Sequence, residues 1–157
     1  LKEKQIIPDI VLCCCGGGGL IAGISLIIKN EWPKVNIHPI EPIGWNDTQL
    51  SLKKGERIKI SKNSKNICDA LLARSPGKIT FGINKNLLSF GLTVSEDEVL
   101  RSIHFAYKHL KLVTEPGGIV ALASLLNNKK LIKNKNILII ISGGNIDKEL
   151  FLKALEY

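Results

Sequence analysis

The chain has 157 residues, of which 45% are apolar, and a formal net charge of +8 at pH 7. This length suffices for one domain with a hydrophobic core, and no apolar stretch reaches the roughly 20 residues that a membrane-spanning helix needs. A basic protein can bind nucleic acid, but the lysines here are scattered among Asn and Ile residues, and aromatic side chains make up only 5%. The composition therefore predicts a solvated basic surface, with neither nucleic acid nor a membrane as partner.

The strongest local signal is a glycine run near the start of the chain. An apolar strand is predicted at residues 9–15, directly before four glycines and a helix predicted over residues 19–30. Residues without a Cβ allow successive backbone N–H groups to converge on one point, and the positive end of the following helix is directed at that point. This arrangement favours a phosphate group. The sequence therefore predicts a phosphate-binding loop formed by Gly16, Gly17, Gly18 and Gly19.

Three of the four cysteines, Cys13, Cys14 and Cys15, are adjacent in the predicted first strand. Adjacent strand residues point to opposite faces, so they cannot easily form a disulfide or share one tetrahedral metal ion. We predict that they are small buried apolar side chains in a reducing compartment, which indicates a cytoplasmic protein.

Strands and helices alternate along the rest of the chain. The further strands are predicted at residues 35–40, 92–94 and 137–141, and the further helices at 48–53, 80–89, from 95 to 110, 116–126 and from 147. Ser95 and Glu98 have the spacing of a capping box, and Pro116 is typical of a first helical turn. The alternation predicts an α/β fold with three layers, in which helices cover both faces of a parallel sheet.

A second glycine turn, at residues 142–145, follows the predicted last strand. Ligands of parallel sheets bind at the carboxyl ends of strands, so we expect the two glycine turns to face one ligand from two sides. The spacing of Gly17, Gly19 and Ala22, with Glu41 further on, also fits a loose dinucleotide-binding pattern. A dinucleotide therefore remains an alternative to other phosphorylated ligands.

Six segments together resemble the carboxy-terminal half of threonine/serine dehydratases, which are pyridoxal 5'-phosphate (PLP) enzymes of fold type II in a group that includes serine racemase. In the family's order they are residues 15–23, 40–42, 75–78, 94–98, 112–118 and 142–145. The resemblance implies that residues 1–157 form a single partial domain, the PLP phosphate-binding portion of the large domain. It also implies that the Schiff-base lysine belongs to an amino-terminal portion absent from this chain. Because the chain begins at Leu1 and not at Met, we expect a piece of a longer protein.

The resemblance also implies roles for particular residues. The glycine run and Leu20 would hold the phosphate of the cofactor, and Ser142 would contact its pyridine nitrogen. Glu115 and Gly143 would lie at the wall of the active site. A first-turn acid that stabilises a helix dipole is an equal alternative for Glu115.

A cation site is implied in the loop after the second strand. Glu41, the backbone carbonyl of Trp45, and Asp47 resemble the ligands of a divalent cation in several members of the family. Hard oxygen ligands of this kind suit Mg²⁺ or Ca²⁺. The alternative is that Glu41 and Asp47 are two solvated loop carboxylates.

The activity implied by the resemblance is that of a lyase. The complete enzyme would convert L-threonine or L-serine to a 2-oxo acid and ammonia by β-elimination, and the fragment alone would be inactive. Two alternatives remain open: racemisation of an amino acid such as serine on the same scaffold, and a non-catalytic module that binds a phosphate or a dinucleotide. Relatives usually pair, so a homo-oligomer is expected for the full-length protein.

Overall fold

A computed structural model describes residues 1, 6–61, 65–128 and 134–157. Within these ranges four parallel strands form one sheet: β1 (Ile10–Cys14), β2 (Asn36–Pro42), β3 (Leu92–Val94) and β4 (Ile137–Ile139). Their order across the sheet is β3-β2-β1-β4. β1 therefore lies inside the sheet, with Val11 opposite Ile37 on one side and Leu138 on the other.

Helices connect the strands. In the described part of the chain they are α1 (Gly19–Glu31), α2 (Asp47–Lys54), α3 (Lys78–Leu87), α4 (Glu96–Phe105), α5 (Pro116–Asn127) and α6 (Lys148–Leu155). A short 3₁₀ turn covers Asp69–Leu71. No helix in these ranges has both the length and the apolar character needed to cross a membrane.

The predicted elements are confirmed, with differences at their ends. The helix predicted from 95 to 110 is α-helical only to Phe105 and continues as one π-helical turn, Ala106–Leu110, which ends where Lys111 adopts a left-handed conformation with φ of 59°. The last strand was predicted over 137–141, but the ladder ends at Ile139. The chain still follows β1 beyond that point, because the Ile140 N–H donates to the Leu12 carbonyl at 3.0 Å.

Helices pack on both faces of the sheet, as predicted. α5 contacts β1, β2 and β3, and α4 lies against α5 and α6, whereas α1 packs on β1 and α3. Connections between parallel strands are right-handed. The first crossover runs from β1 to β2 and the last returns from β3 to β4, so α1 and α5 lie on opposite faces. This is the three-layer α/β arrangement.

The core is centred on β1 and α5. All five residues of β1 are buried, as are the residues from Pro116 to Ser124 in α5. A strand with neighbours on both edges and helices on both faces must be apolar throughout, which explains the unbroken Ile-Val-Leu-Cys-Cys run. Fully burying one such aliphatic side chain contributes about 1.5–3 kcal/mol. This rigid centre fixes where the loops after β1 and β4 begin.

The predicted capping box of α4 is present and gives a stability prediction. Glu98 N–H donates to Ser95 Oγ at 3.3 Å, and Ser95 N–H donates to Glu98 Oε2 at 2.7 Å. Ser95→Ala removes the acceptor for a helix-end N–H group, so we expect the free energy of unfolding to fall by about 1 kcal/mol. Urea unfolding of the full-length protein measures this change. Ser95→Asp keeps an acceptor and should stay near wild type; equal losses in both variants would contradict the capping role.

Candidate cofactor site

The first glycine turn is shaped by a left-handed residue. Gly18 has φ of 87° and is the N-cap of α1, and a Cβ there would lie 2.8 Å from Asn84 Nδ2. At Gly17 and Gly19, by contrast, a Cβ would meet no atom within 4 Å. The packing of the described residues therefore requires a glycine at 18 but leaves open space beside 17 and 19. The absence of side chains at those two positions keeps the loop amides uncovered.

The carbonyl groups of this loop are held by α3. Thr80 Oγ1 donates to the Gly17 carbonyl at 2.7 Å, and Asn84 Nδ2 donates to the Gly18 carbonyl at 3.2 Å. The Gly77 N–H also donates to the Gly17 carbonyl, at 3.2 Å. Because the carbonyls are occupied on the α3 side, the turn keeps one orientation. The sequence does not predict this role for Thr80 and Asn84, because nothing in their spacing links them to the glycine run.

The start of α1 is suited to an anion. The first N–H groups of any helix have no partner inside the helix, and their partial positive charge favours negative ligands. α1 has 13 residues, and its first turn carries no acidic side chain that could accept hydrogen bonds from these N–H groups. An external anion can therefore satisfy these donors.

The second glycine turn packs against the start of α5. Ser142 N–H donates to the Gly118 carbonyl at 3.2 Å, and Glu115 N–H donates to the Gly143 carbonyl at 3.1 Å. Gly143 has φ of 148°, and a Cβ on it would lie 2.5 Å from the Glu115 carboxyl group. Glu115 Oε2 accepts the Asn145 N–H at 3.1 Å. The Glu115 carboxylate thus braces the second turn.

Both turns line one cavity of about 250 Å³. Its lining comprises the predicted phosphate and ring contacts, Gly16, Gly17, Gly18, Gly19, Leu20 and Ser142, together with Cys14, Ala70, Leu71, Glu115 and Gly117. Of the two residues predicted at the active-site wall, Glu115 lines this cavity and Gly143 is not among the lining residues. No lysine or arginine is among these lining residues, so in the described part of the chain backbone amides are the groups that can meet a phosphate here. A larger cavity, of about 590 Å³, shares no lining residue with this one.

Cys14 is a cavity residue that the sequence analysis treated as ordinary core. All four cysteines are buried and free, as predicted. Burial raises the pKa of the Cys15 thiol and raises that of Cys68 to about 12. Cys14 differs, since its Sγ lies 3.2 Å from Ser142 Oγ. Hydrogen bonds, first with Cys13 and then with Ser142, lower the pKa of the Cys14 thiol, although burial opposes this. Its place near the carboxyl end of the predicted first strand, two residues before the glycine run, is the signal that the sequence offers.

The candidate cation residues lie away from this cavity and are not solvated. Glu41 is fully buried; its Oε1 accepts the Thr48 N–H and its Oε2 the Gln49 N–H, each at 2.8 Å. Glu41 therefore caps the start of α2. Burial raises its pKa to about 8. The alternative of two solvated loop carboxylates is wrong, because β2 carries this carboxylate beneath the first turn of α2.

Asp47 is also fully buried, and neither of its carboxylate oxygens has a hydrogen-bond partner. Burial raises its pKa to about 7. Trp45, between the two acids, is buried as well. No cluster of three or more His, Cys, Asp or Glu side chains in the described ranges could hold a metal ion. A cation at this place would therefore need main-chain or water oxygens beside the two carboxylates.

Comparison with known proteins identifies the family. Residues 1–143 match the family model described as pyridoxal-phosphate dependent enzyme. The chain belongs to this family. The resemblance inferred from the six segments is thereby confirmed, and the match favours pyridoxal phosphate over a dinucleotide as the ligand of the glycine turn.

Individual relatives include two kinds of enzyme. Serine racemase of Schizosaccharomyces pombe is 37% identical over 136 residues, which are 87% of this chain and 42% of the relative. L-threonine ammonia-lyase of Thermotoga maritima is 34% identical over 94% of this chain and 37% of its own. The processed form of threonine deaminase isoform 2 from Solanum lycopersicum superposes with a TM-score of 0.90 at 31% identity, over 99% of this chain and 46% of that chain. The chain therefore spans less than half the length of these relatives.

Gly18 and Gly17 provide a matched pair for testing the loop geometry. Gly18→Ala places a Cβ in a left-handed conformation and against Asn84, so the free energy of unfolding should fall by about 1 kcal/mol or more. Gly17→Ala meets no neighbour and should leave it unchanged or slightly higher. Urea unfolding of the cofactor-free full-length protein distinguishes the two. Equal destabilisation by both variants would contradict the loop described here.

Proposed function

We propose that the full-length protein is a PLP-dependent threonine/serine dehydratase that converts L-threonine or L-serine to a 2-oxo acid and ammonia. The observation that carries this proposal is the shared cavity, in which a loop of bare amides at a helix start faces a single hydroxyl group, that of Ser142. Membership of the PLP-dependent family and relatives named L-threonine ammonia-lyase support it. In this β-elimination the substrate loses the α-proton and the β-hydroxyl group as water. Hydrolysis of the resulting product then releases ammonia.

The first glycine turn would hold the phosphate of PLP. Backbone N–H groups of Gly16, Gly17, Gly18, Gly19 and Leu20 supply donors, and the positive end of α1 adds to their attraction. This binding needs no lysine or arginine, in keeping with the cavity lining. α3 contributes indirectly, because Thr80 and Asn84 keep the loop carbonyls turned away.

Ser142 would meet the ring nitrogen of PLP. When bound, PLP supplies an electron sink for the bonds of the substrate α-carbon. A serine hydroxyl is a neutral partner, so it leaves the ring nitrogen largely unprotonated and moderates that sink. A weaker electron sink in the PLP ring favours reactions in which a leaving group departs promptly, such as the loss of a β-hydroxyl group. Glu115 does not compete for this role in the structure, because its carboxylate is held by the Asn145 N–H.

The rest of the protein would supply what this cavity lacks. A lysine for covalent attachment and proton transfer, and contacts for the substrate carboxylate, have no candidate among the lining residues. We therefore propose that the fragment alone is inactive. The full-length protein would be a homo-oligomer, and its four buried free cysteines favour a cytoplasmic location.

Racemisation of an amino acid is a second candidate activity. Relatives named serine racemase, at 37% and 34% identity, favour it to the same degree as the ammonia-lyases. Racemisation requires proton exchange on both faces of the substrate, so its second acid-base group would also lie outside this chain.

We further propose that Glu41, the Trp45 carbonyl and Asp47 hold Mg²⁺ or Ca²⁺. The supporting observation is the pair of buried Asp47 oxygens that have no partner in the structure. An unpaired buried carboxylate is costly, and a bound cation removes that cost. A carboxylate has about four lone-pair sites, so Glu41 retains acceptor capacity beside the two α2 N–H groups that it accepts.

The activity proposal is tested on the full-length protein. After addition of PLP we expect a visible absorbance band and formation of 2-oxobutyrate from L-threonine or pyruvate from L-serine. Chiral chromatography of the remaining amino acid distinguishes elimination from racemisation. Gly17→Ala should weaken PLP binding because its Cβ enters the open space beside the loop, whereas Ser95→Ala should not. A full-length protein that stays colourless with added PLP would refute the proposal.

The cation proposal is tested by thermal unfolding. Mg²⁺ or Ca²⁺ in about 100-fold excess over its dissociation constant should raise the free energy of unfolding by roughly 2.7 kcal/mol. Asp47→Asn should abolish this increase, and Asp97→Asn, which removes an exposed carboxylate of α4, should retain it. An increase that persists in Asp47→Asn would place the cation elsewhere.

A further inference from the structure

The contact between Cys14 and Ser142 joins two neighbouring strands at the cavity. Cys14 is the last residue of β1, and Ser142 follows β4; their Sγ and Oγ atoms are 3.2 Å apart. The backbone fixes both sides of this contact. Ile140 N–H donates to the Leu12 carbonyl at 3.0 Å, and Ser142 N–H donates to the Gly118 carbonyl at 3.2 Å. The thiol and the hydroxyl are therefore held together by the fold.

The other cysteines of the run make different contacts. Cys13 Sγ donates to the Cys14 carbonyl at 3.4 Å, and Cys15 Sγ donates to Thr48 Oγ1 at 3.4 Å. Among the four cysteines, only Cys14 lines the cavity. The three adjacent cysteines are thus chemically distinct, and Cys14 is the one in a position to act on a cavity group.

The chemistry of the two side chains suggests what this contact does. A serine hydroxyl donates one hydrogen bond and accepts two, whereas a thiol is a weak donor. Either atom can be the donor in this contact. When a group in the cavity accepts the Ser142 proton, the Cys14 S–H is left as the donor to Ser142 Oγ. A hydrogen bond received by a hydroxyl also strengthens the one it donates. Because both side chains line the cavity, a ligand bound there can supply this acceptor.

We propose that Cys14 is a positioning residue for Ser142: its thiol donates to Ser142 Oγ and directs the Ser142 proton into the cavity, towards the ring nitrogen of PLP. This inference rests on the proposed contact between Ser142 and that nitrogen. Cys14 touches neither substrate nor reacting atoms in this scheme. It acts by fixing one rotational state of the hydroxyl.

The test is a double-mutant cycle in the full-length protein with Cys14→Ala, Ser142→Ala and both changes together. Two quantities are measured: the dissociation constant of PLP, and the ¹⁵N chemical shift of PLP labelled at its ring nitrogen. Measurements on all variants are made at pH 6, because mildly acidic solution favours the protonated form of a thiol. Cys14→Ala should weaken PLP binding about two- to fivefold, which is the lower range for one lost hydrogen bond.

The spectroscopic readout separates positioning from packing. In Cys14→Ala the ring-nitrogen signal should move towards that of a pyridine without a hydrogen bond. Cys14→Ser retains a donor and should restore most of the wild-type shift. Cys15→Ala is the matched control, because it removes a thiol of the same size from the neighbouring position, where the Sγ contacts Thr48 and does not line the cavity. Its ring-nitrogen shift should equal that of wild type.

The outcomes distinguish the inference from the function on which it rests. Coupling is expected, so that Cys14→Ala has no further effect once Ser142 is alanine. If Cys14→Ala behaves as Cys15→Ala does, or if its effect persists undiminished in Ser142→Ala, Cys14 does not position Ser142. If Ser142→Ala itself changes neither quantity, the proposed role of Ser142 fails, and the role of Cys14 fails with it.

Discussion

The parallel pairing of β1 with β4 is the interaction on which the rest of the site depends. It brings the glycine run after β1 and the serine turn after β4 to the same edge of the sheet. Cys14 and Ser142 are 128 residues apart along the chain, yet their side chains are in contact. β1 can hold this central place because its residues are apolar throughout and are covered by helices on both faces. The chemistry of the cavity is therefore a consequence of how the core is packed.

Orientation of the two turns is decided by elements that lie outside them. α3 holds the carbonyls of the first turn through Thr80 and Asn84, while the start of α5 holds the second turn through Gly118 and Glu115. Each turn is thereby fixed from behind, and its ligand-facing side carries few side chains. A pre-ordered array of donors binds an anion without a further ordering cost. This division explains how the cavity can be well formed although no lysine is among its lining residues.

The two buried carboxylates differ in how the fold accommodates them. Glu41 is matched by two backbone N–H groups of α2, so its burial is compensated and contributes to the fold. Asp47 has no such compensation. Buried polar groups normally have hydrogen-bond partners. One that has none is expected at a functional position rather than in the ordinary core. The contrast between these neighbouring acids supports the cation proposal more strongly than the presence of acids alone.

The sequence by itself determined the element order, the parallel α/β class and the two glycine turns, because these depend on local patterns such as apolar runs, capping residues and glycine clusters. The family followed from the resemblance of six ordered segments and from the match of the family model. It placed Gly16 to Gly19, Ser142 and Glu115 at the site. Only the tertiary structure decided which distant side chains meet there: Thr80 and Asn84 behind the loop, Cys14 beside Ser142, and Glu41 and Asp47 buried instead of solvated. Burial and contact depend on how helices pack on the sheet, and that packing is set by the whole core rather than by any short segment.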